Sequence, residues 1–184
     1  MGKRLKFQEM IRFVRQSLEK APEHRRGKNS QYEIADAGLG AFSAFYMQAP
    51  SFLAHQRDMQ KRKGQNNAQS LFEMETIPSD GQIRNLLDPA EPSYLRAPFW
   101  QVYERLQAGK YLDDYRSVGK TQLLSFDGTQ YFSSQKIHCP NCTVRVRKEQ
   151  KYYSHSVLAA VLVAPGQEHV IALEPEFISP QDGH

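Results

Sequence analysis

The sequence predicts an α+β protein in which a helical region precedes an antiparallel sheet. Up to about residue 117, apolar residues recur every three or four positions, as on one face of a helix. From about residue 120 onward, β-branched and aromatic residues form extended runs separated by turn residues. This change of period divides the chain into a helical region at 1–118 and a sheet region at 119–184.

Five helices are predicted in the first region. The first has an apolar stripe formed by Phe7, Met10, Ile11, Val14 and Leu18. The second follows Ser30 and Glu33, which have the spacing of a capping box, and its many small residues would let a neighbouring backbone approach closely. Three more begin near Pro50, Ser79 and Pro98, and in the last of them Trp100 and Tyr103 are expected in the core.

The N-terminal segment is strongly basic. Nine Lys or Arg lie between Met1 and Lys28, against three acids, whereas the whole 184-residue chain has a net charge of +4. Such clustering suits DNA, whose condensed counterions are released when cations meet its phosphates. A solvated helix face explains the pattern equally well. The residues expected to contact DNA are Lys3, Arg4, Lys6, Arg12, Arg15, Arg25, Arg26 and Lys28.

Three strands are predicted in the sheet region: 122–126 with an extension toward 132, 152–163, and 169–173. Asp127 follows the apolar run of the first strand and precedes Gly128. A carboxylate at the end of a buried strand is costly to desolvate unless a cation meets it, so a metal ion is one explanation. An Asp-Gly pair between such runs is also typical of a type I′ hairpin turn, which the pattern alone favours.

A resemblance changes that balance. The segments Leu124–Ser134, Lys136–Cys142, Tyr152–His155 and Leu158–Val163 resemble the start of the catalytic domain of DDE transposases from bacterial insertion sequences. Together with Ile77–Pro89, the likeness covers the chain from about Asp36 onward. It implies an RNase H-like fold that begins with these three antiparallel strands. It also implies that Asp127 is the first of three catalytic acids and a Mg²⁺ ligand in metal-dependent DNA cleavage and strand transfer.

The family's second Asp and final Glu have no counterpart in this sequence. The resemblance therefore implies a truncated, catalytically incomplete transposase whose partners are insertion-sequence DNA ends and a second copy of the chain or a full-length transposase. Two alternatives stay open. The chain is a non-catalytic DNA-binding remnant or inhibitor of transposition, or it is a small zinc-stabilised binding module in which Asp127 is only a turn residue.

A Cys-x-x-Cys pair lies in a polar insertion at about 133–151. Cys139 and Cys142 have zinc-ligand spacing, and His155 follows thirteen residues after Cys142. His138 is a poorly placed fourth ligand because it is adjacent to Cys139. We expect Zn²⁺ at Cys139, Cys142 and His155, with free thiols or a redox pair as alternatives. The basic residues of the insertion either contact DNA phosphates or solvate a hairpin.

Location and membrane association are constrained by composition. The longest apolar run, Val157 to Ala164, is too short to cross a bilayer, so no membrane partner is expected. The basic N-terminus lacks the apolar segment of a secretory signal. Two cysteines in a chain of this size fit a reducing compartment, and the expected location is the cytoplasm.

Overall fold

A computed structural model describes residues 5–25, 31–61, 67–74 and 76–180. The chain divides into two compact units, Met1–Arg105 and Leu106–His184. The first unit is helical and the second holds an antiparallel sheet, which confirms the predicted α+β class. No helix in the described ranges has the length and apolar character needed to cross a membrane.

The described helices are α1 (Phe7–Leu18), α2 (Ile34–Tyr46), α3 (Phe52–Lys61), α4 (Asn67–Ser70), α5 (Asp80–Leu87) and α6 (Arg96–Ala108). The cap predicted before α5 is confirmed, because Ser79 accepts a hydrogen bond from the Gln82 amide. The capping box predicted before α2 places the start of the helix too early, because the helix begins after Glu33, which makes no side-chain cap. Ser30, the predicted cap residue, lies outside the described residues. Arg25 donates a hydrogen bond to the carbonyl oxygen of Tyr32 at 2.6 Å.

Helices α1 and α2 pack closely in the helical unit. The predicted stripe of α1 is buried at Ile11 and Leu18, and Ile11 packs with Leu39 of α2 and with Phe72. The backbone of Gly38 lies directly against Leu18. A Cβ built on Gly38 would clash with Cδ1 of Leu18 and lie 2.9 Å from its Cδ2. The small residues of α2 therefore serve the close helix approach that the sequence predicts.

Trp100 corrects the prediction for α6. Its side chain is 49% exposed and makes an edge contact with Tyr103, at a ring-centroid distance of 6.0 Å. The residues that define the inward stripe of α6 are half-buried: Phe99, Val102, Tyr103 and Leu106. Trp100 is one position further along the chain than Phe99, which rotates it about 100° around the helix and away from that stripe.

Five strands form the sheet of the second unit: β1 (Leu123–Ser134), β2 (Thr143–Arg147), β3 (Gln150–Val163), β4 (Ile171–Ala172) and β5 (Glu176–Ile178). The long strand β3 is central. Along one edge it pairs with β1, from Leu123 opposite Val163 to Ser134 opposite Tyr153. Along its other edge it pairs in succession with β2, β5 and β4. The sequence predicted β1, β3 and a longer β4, but not β2 or β5.

The sheet unit begins before the first strand. A 3₁₀ turn at Tyr111–Tyr115 buries Leu112 and Tyr115, and the Tyr115 hydroxyl donates a hydrogen bond to the carbonyl oxygen of His169 at 3.1 Å. These contacts assign the turn to the same unit as the sheet. The first compact unit ends at Arg105, before this turn. The backbone becomes extended only later, at β1, which agrees with the change of period in the sequence.

Candidate metal centre and the Asp127 strand

Asp127 lies in the middle of β1 and not in a turn. It is opposite Ala159 of β3, and Gly128 is opposite Leu158 in the same ladder. A type I′ turn needs positive φ at both central residues. In the described ranges the only glycines with positive φ are Gly119 and Gly166, so the turn interpretation of Asp127-Gly128 is wrong. The strand continues instead to Ser134.

The Asp127 side chain is exposed on one face of the sheet. Directly opposite residues of an antiparallel pair share a face, and side chains alternate along each strand. Asp127, Ser125 and Thr129 therefore lie on the same face as Ala159, and we call it the Asp127 face. Among the described residues, Asp127 belongs to no group of three or more potential metal ligands. The described chain supplies one carboxylate at this position, whereas a two-metal site needs several.

A β-bulge re-aims the aromatic side chains of β1. The register shifts between Gln130 and Phe132, which leaves Tyr131 as an extra residue. Both Tyr131 and Phe132 then contact the ring of His155, at centroid distances of 5.9 Å and 5.7 Å. His155 is four residues from Ala159 along β3, so it shares the Asp127 face at about 14 Å from Asp127. At that distance, the two residues cannot bind the same ion.

Cys139, Cys142 and His155 form a compact cluster. The two Sγ atoms are 3.8 Å apart, and each lies 3.2 Å from Nε2 of His155. Tetrahedral zinc with bonds of about 2.3 Å to sulfur and 2.0 Å to nitrogen would separate the sulfurs by about 3.8 Å and sulfur from nitrogen by about 3.5 Å. The cluster therefore has nearly the dimensions of a Cys₂His zinc site.

The turn between the two cysteines is closed by backbone hydrogen bonds. The Cys139 amide donates to Sγ of Cys142 at 3.3 Å, and the Cys142 amide donates to the Cys139 carbonyl oxygen at 3.2 Å. Cys142 is buried and Cys139 is exposed, so the cluster opens to solvent on one side.

His138 does not join the cluster, as its position next to Cys139 predicts. Its ring stacks on Tyr153 at a centroid distance of 4.4 Å, and its Nδ1 lies 3.2 Å from the carbonyl oxygen of Lys136. Three side chains remain as potential ligands in the described residues around the site. A tetrahedral ion held by three protein ligands keeps one coordination position open to water or another ligand.

Tyr131 packs beside the cluster through its contact with His155. Burial raises the pKa of the Tyr131 hydroxyl, and its proximity to Cys139 and Cys142 raises this pKa further.

The described N-terminal cations that were expected to contact DNA are mostly engaged within the helical unit. Arg12 donates to both carboxylate oxygens of Glu73, and this hydrogen bonding is the main cause of its raised pKa. Arg15 pairs with Asp36 at 3.3 Å, and Arg25 pairs with Glu23. Lys6 is exposed at the N-terminus of α1. Lys3, Arg4, Arg26 and Lys28 lie outside the described residues, and the DNA-binding role of the whole set stays a prediction.

The sequence did not predict β2, which places further cations beside the cluster. Strands β2 and β3 form a hairpin whose turn residues, Lys148 and Glu149, both have left-handed backbones with φ of 46° and 63°. Alternation of Val144 and Val146 with polar residues was the available signal for this strand.

No protein-family model, curated protein or solved structure matches this chain.

Proposed function

We propose that this chain acts in DNA transposition, by binding DNA and by contributing Asp127 as a Mg²⁺ ligand of a phosphodiester-transfer site. The proposal is supported chiefly by one observation. Three segments that resemble DDE transposases lie side by side in β1 and β3: Leu124–Ser134, Tyr152–His155 and Leu158–Val163. The Asp127 carboxylate is exposed on the sheet they form. This arrangement fits the start of an RNase H-like catalytic core.

A single carboxylate limits what the chain can do alone. Mg²⁺ prefers oxygen ligands in octahedral geometry, and the two ions of a transposase site activate the attacking oxygen and stabilise the leaving oxygen. Asp127 fits as one ligand of such a site. The proposed partner that completes it is a second copy of the chain or a full-length transposase. The exposed apolar side chains of Leu124 and Phe126 lie on the opposite face of β1, so the proposed partner would reach Asp127 from the other side of the sheet.

The first experiment measures DNA binding and cleavage by the purified chain. We expect duplex DNA to bind with a steep salt dependence, and no nicking of insertion-sequence ends in Mg²⁺ or Mn²⁺. Asp127→Ala should leave binding unchanged, as should Asp114→Ala, which removes another exposed acid of the same unit. Absence of duplex binding contradicts the proposed function. Metal-dependent nicking that Asp127→Ala abolishes contradicts the catalytic incompleteness.

We also propose that Cys139, Cys142 and His155 bind Zn²⁺. Soft thiolates with an imidazole are a ligand set that suits zinc. A sulfur separation of 3.8 Å is far too long for a disulfide bond of about 2.05 Å, so the described geometry does not support a closed redox pair. The ion would tie the loop before β2 to the central strand β3. Two reduced cysteines of this kind fit the proposed cytoplasmic location.

The zinc proposal has an internal control. Elemental analysis should find about one zinc per chain, and replacement by Co²⁺ should give thiolate charge-transfer absorption. His155→Gln should abolish both signals, whereas His138→Gln should keep them because His138 stacks on Tyr153 outside the cluster. Protein without zinc whose two thiols react freely would refute the site.

A second candidate function is a zinc-stabilised binding module unrelated to transposition. One observation favours it: the Cys₂His cluster is assembled within the described residues, whereas Asp127 has no comparable ligand group there. The two functions predict different results in the binding experiment. A zinc-loaded chain without affinity for duplex DNA would favour the module.

A further inference from the structure

The β2–β3 hairpin ends in a two-stranded ribbon. Tyr153 is the last residue of β3 that pairs with β1. Beyond it, β3 pairs with β2 alone, with Tyr152 opposite Arg145 and Gln150 opposite Arg147. A ribbon of two strands is narrow enough to enter the major groove of B-DNA, which is about 12 Å wide.

Cations dominate the surface of this ribbon. Arg145, Arg147, Lys148 and Lys151 are all exposed, against one acid, Glu149. In the part of the chain that the structure describes, none of the four cationic side chains forms a hydrogen bond or an ion pair. Arg12, Arg15 and Arg25 of the helical unit, in contrast, would have to leave a carboxylate before they could meet a phosphate.

The two arginines act from one face of the ribbon. Arg145 and Arg147 are two residues apart on β2, so their side chains point to the same side at a spacing of about 7 Å. Arginine offers several N–H donors in a planar fork, which suits phosphate oxygens and the edge of guanine. Lys148 extends the charge to the turn, and Lys151 adds a cation on the opposite face.

We propose that the β2–β3 hairpin is a contact site for duplex DNA, with Arg145 and Arg147 as its principal contacts. This inference rests on the proposed DNA-binding function and names the surface that performs it. The Cys139, Cys142 and His155 cluster lies at the base of the ribbon, because β2 begins directly after Cys142 and His155 is on β3. A metal ion bound by these three side chains would tie the base of the ribbon to the loop before β2.

The salt dependence of duplex affinity distinguishes specific phosphate contacts by Arg145 and Arg147 from attraction by the overall charge of the unit. The test variant Arg145→Gln/Arg147→Gln is compared with Lys110→Gln/Lys120→Gln, which removes two exposed cations elsewhere in the same unit. Each phosphate contact contributes about 0.9 to the slope of log K against log salt. The arginine variant should therefore lose roughly two units of slope, whereas the lysine variant should keep the slope of the unaltered chain. Arg145→Lys/Arg147→Lys should keep most of the slope.

Each outcome decides a different question. Failure of the unaltered chain to bind the duplex overturns both the proposed function and this inference. Duplex binding with the same slope in the arginine and lysine variants overturns this inference alone. The Arg145→Gln/Arg147→Gln variant is folded if its circular dichroism spectrum and zinc content equal those of the unaltered chain. The Arg145→Lys/Arg147→Lys variant changes the same two side chains but retains their positive charges.

Discussion

His55 is a buried titratable side chain of the helical unit. Its Nε2 lies 2.8 Å from Oγ of Ser43, and the Ser43 hydroxyl donates to the Gly40 carbonyl oxygen at 2.9 Å. Burial lowers the pKa of His55, and the nearby charge of Asp58 opposes the shift only in part. The hydrogen-bonded pair joins α2 to α3 with a neutral imidazole. Sequence reasoning missed it, because nothing in the pattern distinguishes His55 from an exposed histidine.

The lowered pKa of His55 predicts that acid destabilises the helical unit. The unfolded chain binds a proton at a pKa of about 6.5, and the folded chain binds it only at lower pH. The contribution of this group is therefore complete above pH 6.5 and is lost as the pH falls through the folded pKa. We expect His55→Gln to flatten the decrease in unfolding free energy between pH 7.5 and pH 5, measured by urea denaturation.

His24→Gln is the matched control, since His24 is exposed in the same unit. It should leave the acid-dependent decrease as large as in the unaltered chain. Equal pH profiles for His55→Gln and the unaltered chain would contradict the assignment of this decrease to His55.

At the scale of elements, the approach of α1 to α2 depends on Gly38. A methyl group there would overlap Leu18, whose side chain is buried and has little freedom to move. Gly38→Ala should lower the free energy of unfolding by about 1–3 kcal/mol from overpacking, reduced by up to about 1 kcal/mol of gained helix propensity. Thermal denaturation followed by circular dichroism measures the difference.

Gly81 of α5 provides the opposite case. Apart from its chain neighbours and the backbone of its own helix, no atom lies within 4 Å of a Cβ built there. Gly81→Ala should therefore raise the free energy of unfolding by up to about 1 kcal/mol. If Gly38→Ala and Gly81→Ala both raise the free energy of unfolding, the close packing of α1 on α2 does not explain why residue 38 is glycine.

The turn of the β2–β3 hairpin is strained. Lys148 and Glu149 adopt the left-handed conformation that type I′ turns require and that glycine and asparagine adopt most readily. Glu149→Gly should therefore raise the free energy of unfolding of the sheet unit by about 0.5–1 kcal/mol. Glu149→Ala removes the same charge but retains a Cβ, and it should give no such gain in a urea titration followed by tyrosine signals.

The comparison of sequence with structure shows which signals determined each element. Strong periodicity predicted α1, and the long run of aromatic and β-branched residues predicted β3. The local structure at Asp127-Gly128 was ambiguous in the sequence, because this dipeptide is typical of a hairpin turn but also fits the interior of a strand. Only the pairing with Ala159 and Leu158 decides between them. β5 has three residues, too few for a periodic pattern. In the site, the Cys-x-x-Cys spacing predicted that Cys139 and Cys142 lie close together, whereas the bulge at Tyr131 depends on register and has no sequence signature.

At the scale of the whole molecule, metal should stabilise one unit and not the other. All three proposed zinc ligands lie in Leu106–His184. Because metal binding to thiolates is coupled to local order, a chelator should increase amide hydrogen exchange in the loop 135–142 and in β2. Exchange in α1 and α2 should not change. Hydrogen exchange measured by mass spectrometry, with and without added Zn²⁺, checks both expectations. Equal protection of the loop in both samples would contradict a structural role for the ion.

Trp100 is the only tryptophan among the 184 residues, and it lies half-exposed on α6 within the helical unit. Fluorescence that is excited at the long-wavelength edge of the aromatic absorption is therefore emitted from that unit alone. The rings around the cysteine cluster, Tyr131 and Tyr153, absorb at shorter wavelengths and are packed against His155 and His138. Indole emission therefore reports on the surroundings of α6, and the surroundings of the cysteine cluster are followed through the absorption of Tyr131 and Tyr153.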